Sequence, residues 1–549
     1  MENYVNYGGE PIIRFHHKYK SLGEFILERL SDSENLAEII NGVTGNKITR
    51  ENMKKQSLHL ASFMREKIGV KSGDIITILS ENRPEFPAIL FATYLCGAAL
   101  NALSAFYTND ELGHALTIVR PQVVFVTEKA AKKIIQVLQK LNLNSRVIVL
   151  DVLDDGVQNG VITDKNILKI SDIMKSNSIS PKINFKIVDE NIEKRVAFIL
   201  LSSGTTGLPK CVQISQKNVL SGFSGTLKIF QDFSKDRDIV LLITPWVHNF
   251  GLLSLMRLVV FGCKMVYLPR FEDKLYLQTI EKFKISVCFV APPLMVFFSK
   301  SPIVTKDNVT SLRKLYSGGA PLSREIIESV QKRIPNIEVI YNGYGLTETT
   351  TGVTNADSNI NKPGSIGFLW RDIWGKVIDP KTGKSLPPNT PGELCVKGDQ
   401  IMIGYMSNEK ATRETIDPQG WLHTGDIAYY DENREYYIVG RFKEVIKYKG
   451  FQVAPVELES LLLGHPGVRD SAVIGLRDLV AGELPTAFVV RIPGGTVTEQ
   501  ELLDFVSDRV SNPKRLRGGV RFIQEIPKNN NGKIMRSVLK EYLRTKPKL

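Results

Sequence analysis

A chain of 549 residues is too long for a single hydrophobic core and predicts several domains, and its 43% hydrophobic and 23% charged residues are an ordinary soluble composition. The net charge of +13 invites a nucleic-acid or membrane-surface reading, yet Lys and Arg are scattered, with no basic block and no zinc-finger or RNA-binding motif. A solvated basic surface that attracts phosphorylated substrates is the reading this pattern supports.

In chain order, residues 1–22 mix charges and histidines without an apolar signal core. Apolar, β-branched runs at 74–79, 123–127, 146–150, 197–201, 239–244, 286–290 and 312–316 predict buried strands. The segments between many of them are long enough for crossover helices, which argues for a doubly wound α/β body. The apolar stretch 87–103 is short and rich in Ala and Gly, and predicts a buried helix rather than a membrane span. After about Gly364 shorter strands and turns such as Pro387-Pro388 and Pro391-Gly392 follow. From Arg441 onward a compact α+β unit is expected, with helices at 456–463 and 498–510 and strands at 472–475 and 487–490. A hinge near Lys443 divides the chain into a body, 1–442, and a small C-terminal domain, 443–549. The cysteines Cys96, Cys211, Cys263, Cys288 and Cys395 are dispersed and odd in number, with neither metal-ligand spacing nor a disulfide framework, which implies a reducing compartment.

The most informative string is Ser202-Ser203-Gly204-Thr205-Thr206-Gly207-Leu208-Pro209-Lys210, directly after the 197–201 strand. Its glycines let backbone N–H groups turn toward an anion, its hydroxyls add donors, and Lys210 adds a positive charge. It is not the P-loop of ordinary NTPases, because the Gly-Lys-Ser/Thr ending is absent. Further strings follow in order: Ser317-Gly318-Gly319-Ala320-Pro321; Tyr341-Asn342-Gly343-Tyr344-Gly345-Leu346-Thr347-Glu348-Thr349; Gly420-Trp421-Leu422-His423-Thr424-Gly425-Asp426; Arg441 through Gln452; and Pro527 through Lys533.

Taken together, these strings resemble the motifs of the adenylate-forming superfamily, which holds acyl-CoA synthetases, 4-coumarate–CoA ligases, beetle luciferases and peptide-synthetase adenylation domains. The resemblance spans nearly the whole chain and is strongest to the luciferase and 4-coumarate-ligase branch, through Ile446-Lys447-Tyr448-Lys449-Gly450-Phe451-Gln452-Val453-Ala454-Pro455. It implies a large body of doubly wound sheets with a small β-barrel-like part, and a small mobile α+β C-terminal domain. It also implies ATP, Mg²⁺ and CoA as ligands, and a carboxylic acid activated as an acyl-adenylate.

Residue by residue, the resemblance assigns 202–210 to the ATP phosphates, with Thr206 and Glu348 at the Mg²⁺; an acid among phosphates makes sense only with a metal. Gly319, Asn342 and Gly343 line the adenine pocket and Tyr344 stacks there. Thr347 touches the α-phosphate, Asp426 accepts the ribose hydroxyls, and Arg441 reaches ribose or phosphate. Lys533 is the catalytic lysine that bridges α-phosphate and carboxylate as negative charge builds. Rotation about Lys443 then presents a second loop, with Lys447 serving the thioester step and Lys449, Gly450 and Gln452 along CoA. The string Pro245-Trp246-Val247-His248-Asn249-Phe250-Gly251 resembles the wall of the carboxylate site, where His248 either gates the pocket or packs as a neutral ring. With Phe250, Gly318, Leu346, Thr351 and Gly352 it outlines a roomy, largely apolar cavity.

Cys211, Gln216 and Asn342 depart from the commonest family pattern, where glycine, histidine and glutamine stand. A medium- or long-chain fatty acid or an arylpropenoate is the expected substrate. The rival function, luciferin adenylation and oxidation with light emission, meets Asn249 where beetle luciferases have glycine, and Thr351 where they have serine. A peptide-synthetase module is disfavoured because only a short tail follows Lys533, and a catalytically silent nucleotide sensor because Lys533 and Glu348 are both present. The ending Pro547-Lys548-Leu549 is one residue from a Ser-Lys-Leu address, so a peroxisomal location through an import receptor is expected, and a cytoplasmic one otherwise.

Overall fold

A computed structural model describes residues 4–150, 167–176, 191–202, 209–231, 233, 237–320, 322–362, 364–449, 451–529 and 532–545. Two large sheets dominate the body. The eight-stranded sheet runs, in spatial order, Gly404–Tyr405, Lys210–Ser215, Val196–Ser202, Ala99–Leu103, Ile75–Leu79, Val123–Thr127, Arg146–Leu150 and Ile167–Lys169. The nine-stranded sheet places Val339–Gly345, Lys314–Gly318, Val287–Val290, Ile239–Leu242 and Lys264–Tyr267 side by side and parallel, with antiparallel strands at both edges. Strands such as Val123–Thr127 and Val287–Val290 are buried along their whole length, as parallel strands covered on both faces must be.

Between the sheets lie helices Gln216–Gln231 and Asn249–Val260, in one core with Ile76 and Leu100 of the first sheet and Val240 and Met265 of the second. Helix Asn249–Val260 is buried at every position from Gly251 to Val260, which requires packing on all sides. Helices Asn109–Val119 and Glu128–Lys140 cover the outer face of the eight-stranded sheet. Helices Asp273–Phe283, Pro292–Lys300 and Arg324–Arg333 cover that of the nine-stranded sheet. A five-stranded antiparallel sheet, in the order Asn6–Tyr7, Ile373–Ile378, Gly392–Gly398, Leu422–Tyr430 and Tyr436–Arg441, forms the smaller β part of the body.

After Arg441 the chain builds a separate sheet from Ile446–Tyr448, Phe451–Val453, Val468–Asp478, Gly482–Arg491 and Val520–Phe522. Helices Pro455–Leu463 and Glu499–Ser507 pack on one face and Arg536–Thr545 on the other. Thr498 caps the second of these, its hydroxyl accepting from the Glu501 N–H while Glu501 reaches back to the Thr498 N–H.

One sequence expectation is corrected. The stretch 87–103 is not one helix: Phe86–Leu95 is helical, Gly97 turns with φ 71°, and Ala99–Leu103 is a fully buried strand. An apolar run without polar punctuation hides that break, and only glycine takes the left-handed turn at no cost. The hairpin strands Val468–Asp478 and Gly482–Arg491 extend well beyond 472–475 and 487–490, because their polar ends pair with each other rather than entering the core. No helix among the described residues is long and apolar enough to cross a membrane. All five cysteines are buried, and none is in a disulfide.

Candidate active site

One continuous cavity of about 2090 Å³ opens between the body and the C-terminal unit. Ser202 and Lys210 line it from facing positions of an antiparallel pair. Ser203, Gly204, Thr205, Thr206 and Gly207 lie outside the described residues. Lys210 Nζ sits 4.4 Å from the Tyr405 ring centroid, and Tyr405 Oη donates to Glu348 Oε1 at 2.9 Å. An acid and a lysine thus meet at this end of the cavity through one tyrosine.

The opposite wall comes from the C-terminal ends of the parallel strands Lys314–Gly318 and Val339–Gly345, where ligands bind in open α/β sheets. Gly318 and Gly343 face each other across the ladder, and a side chain at Gly319 (φ 90°) would meet nothing within 4 Å. That is open space for a flat group. Asn342 is buried and donates to the Ser365 carbonyl at 3.4 Å. The short 3₁₀ turn Thr347–Thr349 follows, fixed by Leu346 N donating to the Thr349 hydroxyl and by Met402 N donating to the Glu348 carbonyl. Thr350 closes the turn at φ 60°, ψ −53°, a strained conformation for a β-branched residue, held by its hydroxyl donating to the Gln400 carbonyl at 2.6 Å.

Asp426 and Arg441 are direct cross-strand neighbours. The carboxylate is only 2% exposed; Tyr344 Oη donates to its Oδ2 at 2.5 Å, and Arg441 Nε lies 2.7 Å from its Oδ1. The guanidinium N–H is not aimed along that contact, so Oδ1 stays a buried acceptor with no hydrogen bond. Tyr344 therefore spends its hydroxyl on the carboxylate, and Asp426 keeps one oxygen open rather than two. Burial raises the Asp426 pKa, opposed first by the charge of Arg441.

Lys533 enters the same space from the C-terminal unit. Its loop is closed by reciprocal bonds, Asn529 N to the Lys533 carbonyl at 2.9 Å and Lys533 N to Asn529 Oδ1 at 3.0 Å, with Gly532 at φ 76°. Burial and then the neighbouring Arg441 lower the Lys533 pKa, while Glu444 and Asp426 act against them. Arg536 anchors the loop's far side, pairing with Glu444 at 3.0 Å and with Glu459. Lys300, at the end of helix Pro292–Lys300, donates to the Leu463 and Val468 carbonyls at 2.6 and 2.5 Å and so ties the C-terminal unit to the body. Burial pulls this lysine down to about 8.

His248 precedes helix Asn249–Val260. Burial pulls it down to about 4, and its Nε2 has no partner, so it is a neutral ring at the cavity wall. A side chain at Gly251 would lie 2.1 Å from the Pro245 carbonyl oxygen, which accounts for the Pro-to-Gly spacing around this histidine. Asn249 donates to the Leu346 carbonyl at 3.3 Å. Phe250, Gly318, Leu346, Thr351 and Gly352 all line the cavity. The Thr351 methyl packs where Gly222 leaves room, and Trp370 stands over Gly352. Trp370, Phe230, Phe289 and Arg257 are lining residues that the motif strings do not contain. Phe250, Leu253, Ser254 and Arg257 share the helical i, i+3, i+4, i+7 spacing, which is the signal that would have found the last of them.

Some expected residues stand apart. Lys443 is exposed in the turn between the two units and lines the cavity mouth. Lys447 and Lys449 are exposed on the C-terminal sheet, outside the cavity, and do not meet Lys533 or Asp426 in this arrangement. The strand of Gln452 is equally distant, while Gly450 and Pro547-Lys548-Leu549 lie outside the described residues. Cys211 and Gln216 also lie off the cavity: the first is a buried thiol pushed up to about 11, and the second accepts from Leu22 N at 2.8 Å.

Comparison with known families settles the class. Residues 28–406 match the AMP-binding enzyme family and residues 457–533 its AMP-binding enzyme C-terminal domain. The chain belongs to the AMP-binding enzyme family. It is thus an enzyme of the adenylate-forming superfamily. It is 39% identical to a luciferin 4-monooxygenase of Photuris pensylvanica, covering 98% of this chain and 97% of that protein. It is 38% identical to a probable 4-coumarate–CoA ligase of Dictyostelium discoideum, covering 95% of each. Among solved structures, ATP-bound MatB from Rhodopseudomonas palustris superposes with a TM-score of 0.83 at 25% identity, over 95% of this chain and 99% of that one.

Proposed function

We propose that this protein is an AMP-forming acid–thiol ligase, which activates a medium- or long-chain fatty acid or an arylpropenoate with ATP and passes the acyl group to CoA. The observation that carries the reading is the convergence of Lys533, Asp426, Arg441 and Thr347 on one cavity that also holds the apolar wall of His248 and Phe250. In the first half-reaction a carboxylate oxygen bonds to the α-phosphorus while the bond to pyrophosphate breaks. Lys533 offsets the charge that builds between the two anions. Asp426 Oδ1 is the buried acceptor available to a ribose hydroxyl. The open space over Gly319 suits a purine. Glu348 and Thr206 are the residues assigned to Mg²⁺, which when bound neutralises phosphate charge and orients the leaving pyrophosphate.

In the second half-reaction the CoA sulfur bonds to the acyl carbon and AMP departs. Rotation at Lys443 would bring Lys447, Lys449, Gly450 and Gln452 to the adenylate, and the exposure of Lys447 and Lys449 outside the cavity supports such a second arrangement. A peroxisomal location through Pro547-Lys548-Leu549 is part of the same proposal.

The high identity to a luciferin 4-monooxygenase favours a second reading, luciferin oxidation with light. The Asn249 amide, fixed to the Leu346 carbonyl, narrows the cavity where a flat ring system would enter. The two readings separate in one experiment. Carboxylic acids with ATP, Mg²⁺ and CoA yield acyl-CoA under the ligase reading, whereas luciferin with ATP and O₂ but no CoA yields light under the other. Light without acyl-CoA formation from any acid overturns the proposal.

A further inference from the structure

Helix Asn249–Val260 carries one charged side chain, Arg257, in a segment otherwise buried in the middle layer of the body. Arg257 is 7% exposed, and its Nε and Nη2 are buried without a hydrogen-bond partner. No acidic side chain among the described residues pairs with it; its nearest companion is the Phe223 ring, 5.2 Å from the guanidinium carbon. Burial pulls it down to about 9, which still leaves it a cation at neutral pH.

An unpaired buried guanidinium is among the costliest groups a fold can keep, and such charges are normally matched by an anion. Arg257 lines the same cavity as the catalytic cluster. It shares a helix face with Phe250, Leu253 and Ser254, which line that cavity too. Phe250 stands at the activation end, close to Gly318. The seven-residue rise from Phe250 to Arg257 is about 10.5 Å. Arg257 is thus a cation of the cavity lining, set apart from the Phe250 position along an apolar helix face, while Lys533 and Lys210 line the same cavity.

We propose that Arg257 receives a second anionic group of the substrate, so that the acid is an α,ω-dicarboxylate with one carboxylate activated at Lys533 and Thr347 and the other paired with the guanidinium. This inference rests on the acid-activating reading of the cavity and replaces the fatty acid or arylpropenoate named there with a diacid. A planar, fixed fork of donors suits a carboxylate, which accepts two parallel N–H bonds. An uncharged alkyl or aryl end would leave the guanidinium unpaired, so the cavity discriminates against plain fatty acids of matching length.

The test compares monocarboxylic and α,ω-dicarboxylic acids of about six to twelve carbons, a span matched to that helix rise, by pyrophosphate release with ATP, Mg²⁺ and CoA. The wild type should favour the diacid in kcat/KM by about 100-fold. Arg257→Met should lose that preference and take the monoacid at least as well, while Arg257→Lys should retain part of it. Equal use of both acids by the wild type, or an unchanged ratio in Arg257→Met, overturns the inference. If neither acid releases pyrophosphate, the acid-activating reading fails, and thermal melting decides the matter of Arg257 separately. A diacid that raises the Tm of the wild type but not of Arg257→Met supports it, and equal shifts overturn it.

Discussion

The two ends of the cavity are built on different principles. At the end proposed for the nucleotide, backbone turns and paired charges do the positioning: Asp426 against Arg441 across a ladder, the strained Thr350 beside Glu348, and the Asn529–Lys533 loop. At the end proposed for the acyl group the walls are largely buried side chains, with His248, Phe250, Trp370 and Arg257 among the lining residues. The first end is written in contiguous strings and the second in helical faces. Under the proposed function, chemistry common to the superfamily falls to the former and substrate choice to the latter.

The largest break of this contrast is expected at the first end. Lys533→Ala should lower acid-dependent pyrophosphate release by about 1000-fold, in the range of losing a positioned charge-stabilising group. Transfer to CoA from a preformed acyl-adenylate should survive, and equal loss of both steps would refute the division of labour. Asp426→Asn should raise the KM for ATP by roughly 30-fold, because it removes a buried acceptor and leaves Arg441 without its counter-ion. An ATP titration of that variant checks it.

Between the two ends lies the docking of the C-terminal unit. Lys300→Met removes the bonds donated to the Leu463, His465 and Val468 carbonyls and should cost adenylation roughly tenfold. Thioester transfer, for which a second arrangement is proposed, should change little. The two half-reactions assayed separately decide this.

The pH dependence is a smaller effect. In its proposed role Lys533 acts as a cation, and its pKa is lowered by burial and by Arg441. The adenylation rate should therefore fall with rising pH before an ordinary lysine would titrate, and Lys533→Arg should move that limb upward. The smallest effect is at the second end. His248 is already neutral above about pH 4, so His248→Asn should leave the shape of the profile between about pH 5 and 8 unchanged. A lost acidic limb in that variant would make His248 a proton carrier.

The same contrast explains what could be read from residues alone. Lys533, Asp426 and Glu348 sit in strings whose glycines and hydroxyls have no other good use, and they do line one cavity. Tyr344 was legible as a pocket residue, but not its hydroxyl bond to Asp426, which depends on strands far apart in sequence. Trp370 and Phe230 carry no local mark of a binding wall, since any core aromatic looks the same until neighbours are known. The misread stretch 87–103 belongs to this group, for its helix and strand are equally buried and equally apolar. Arg257 was legible in principle as a charge seven residues after Phe250 on an apolar helix, though its lack of a partner is a fact of packing.

The central claim is that this cavity joins a carboxylic acid to the α-phosphate of ATP before any thiol takes part. Acid-dependent exchange of labelled pyrophosphate into ATP, with Mg²⁺ and without CoA, tests it most directly. Exchange that requires a carboxylic acid and vanishes in Lys533→Ala is the predicted result. Exchange that is absent with every acid, or that persists undiminished in Lys533→Ala, would contradict it.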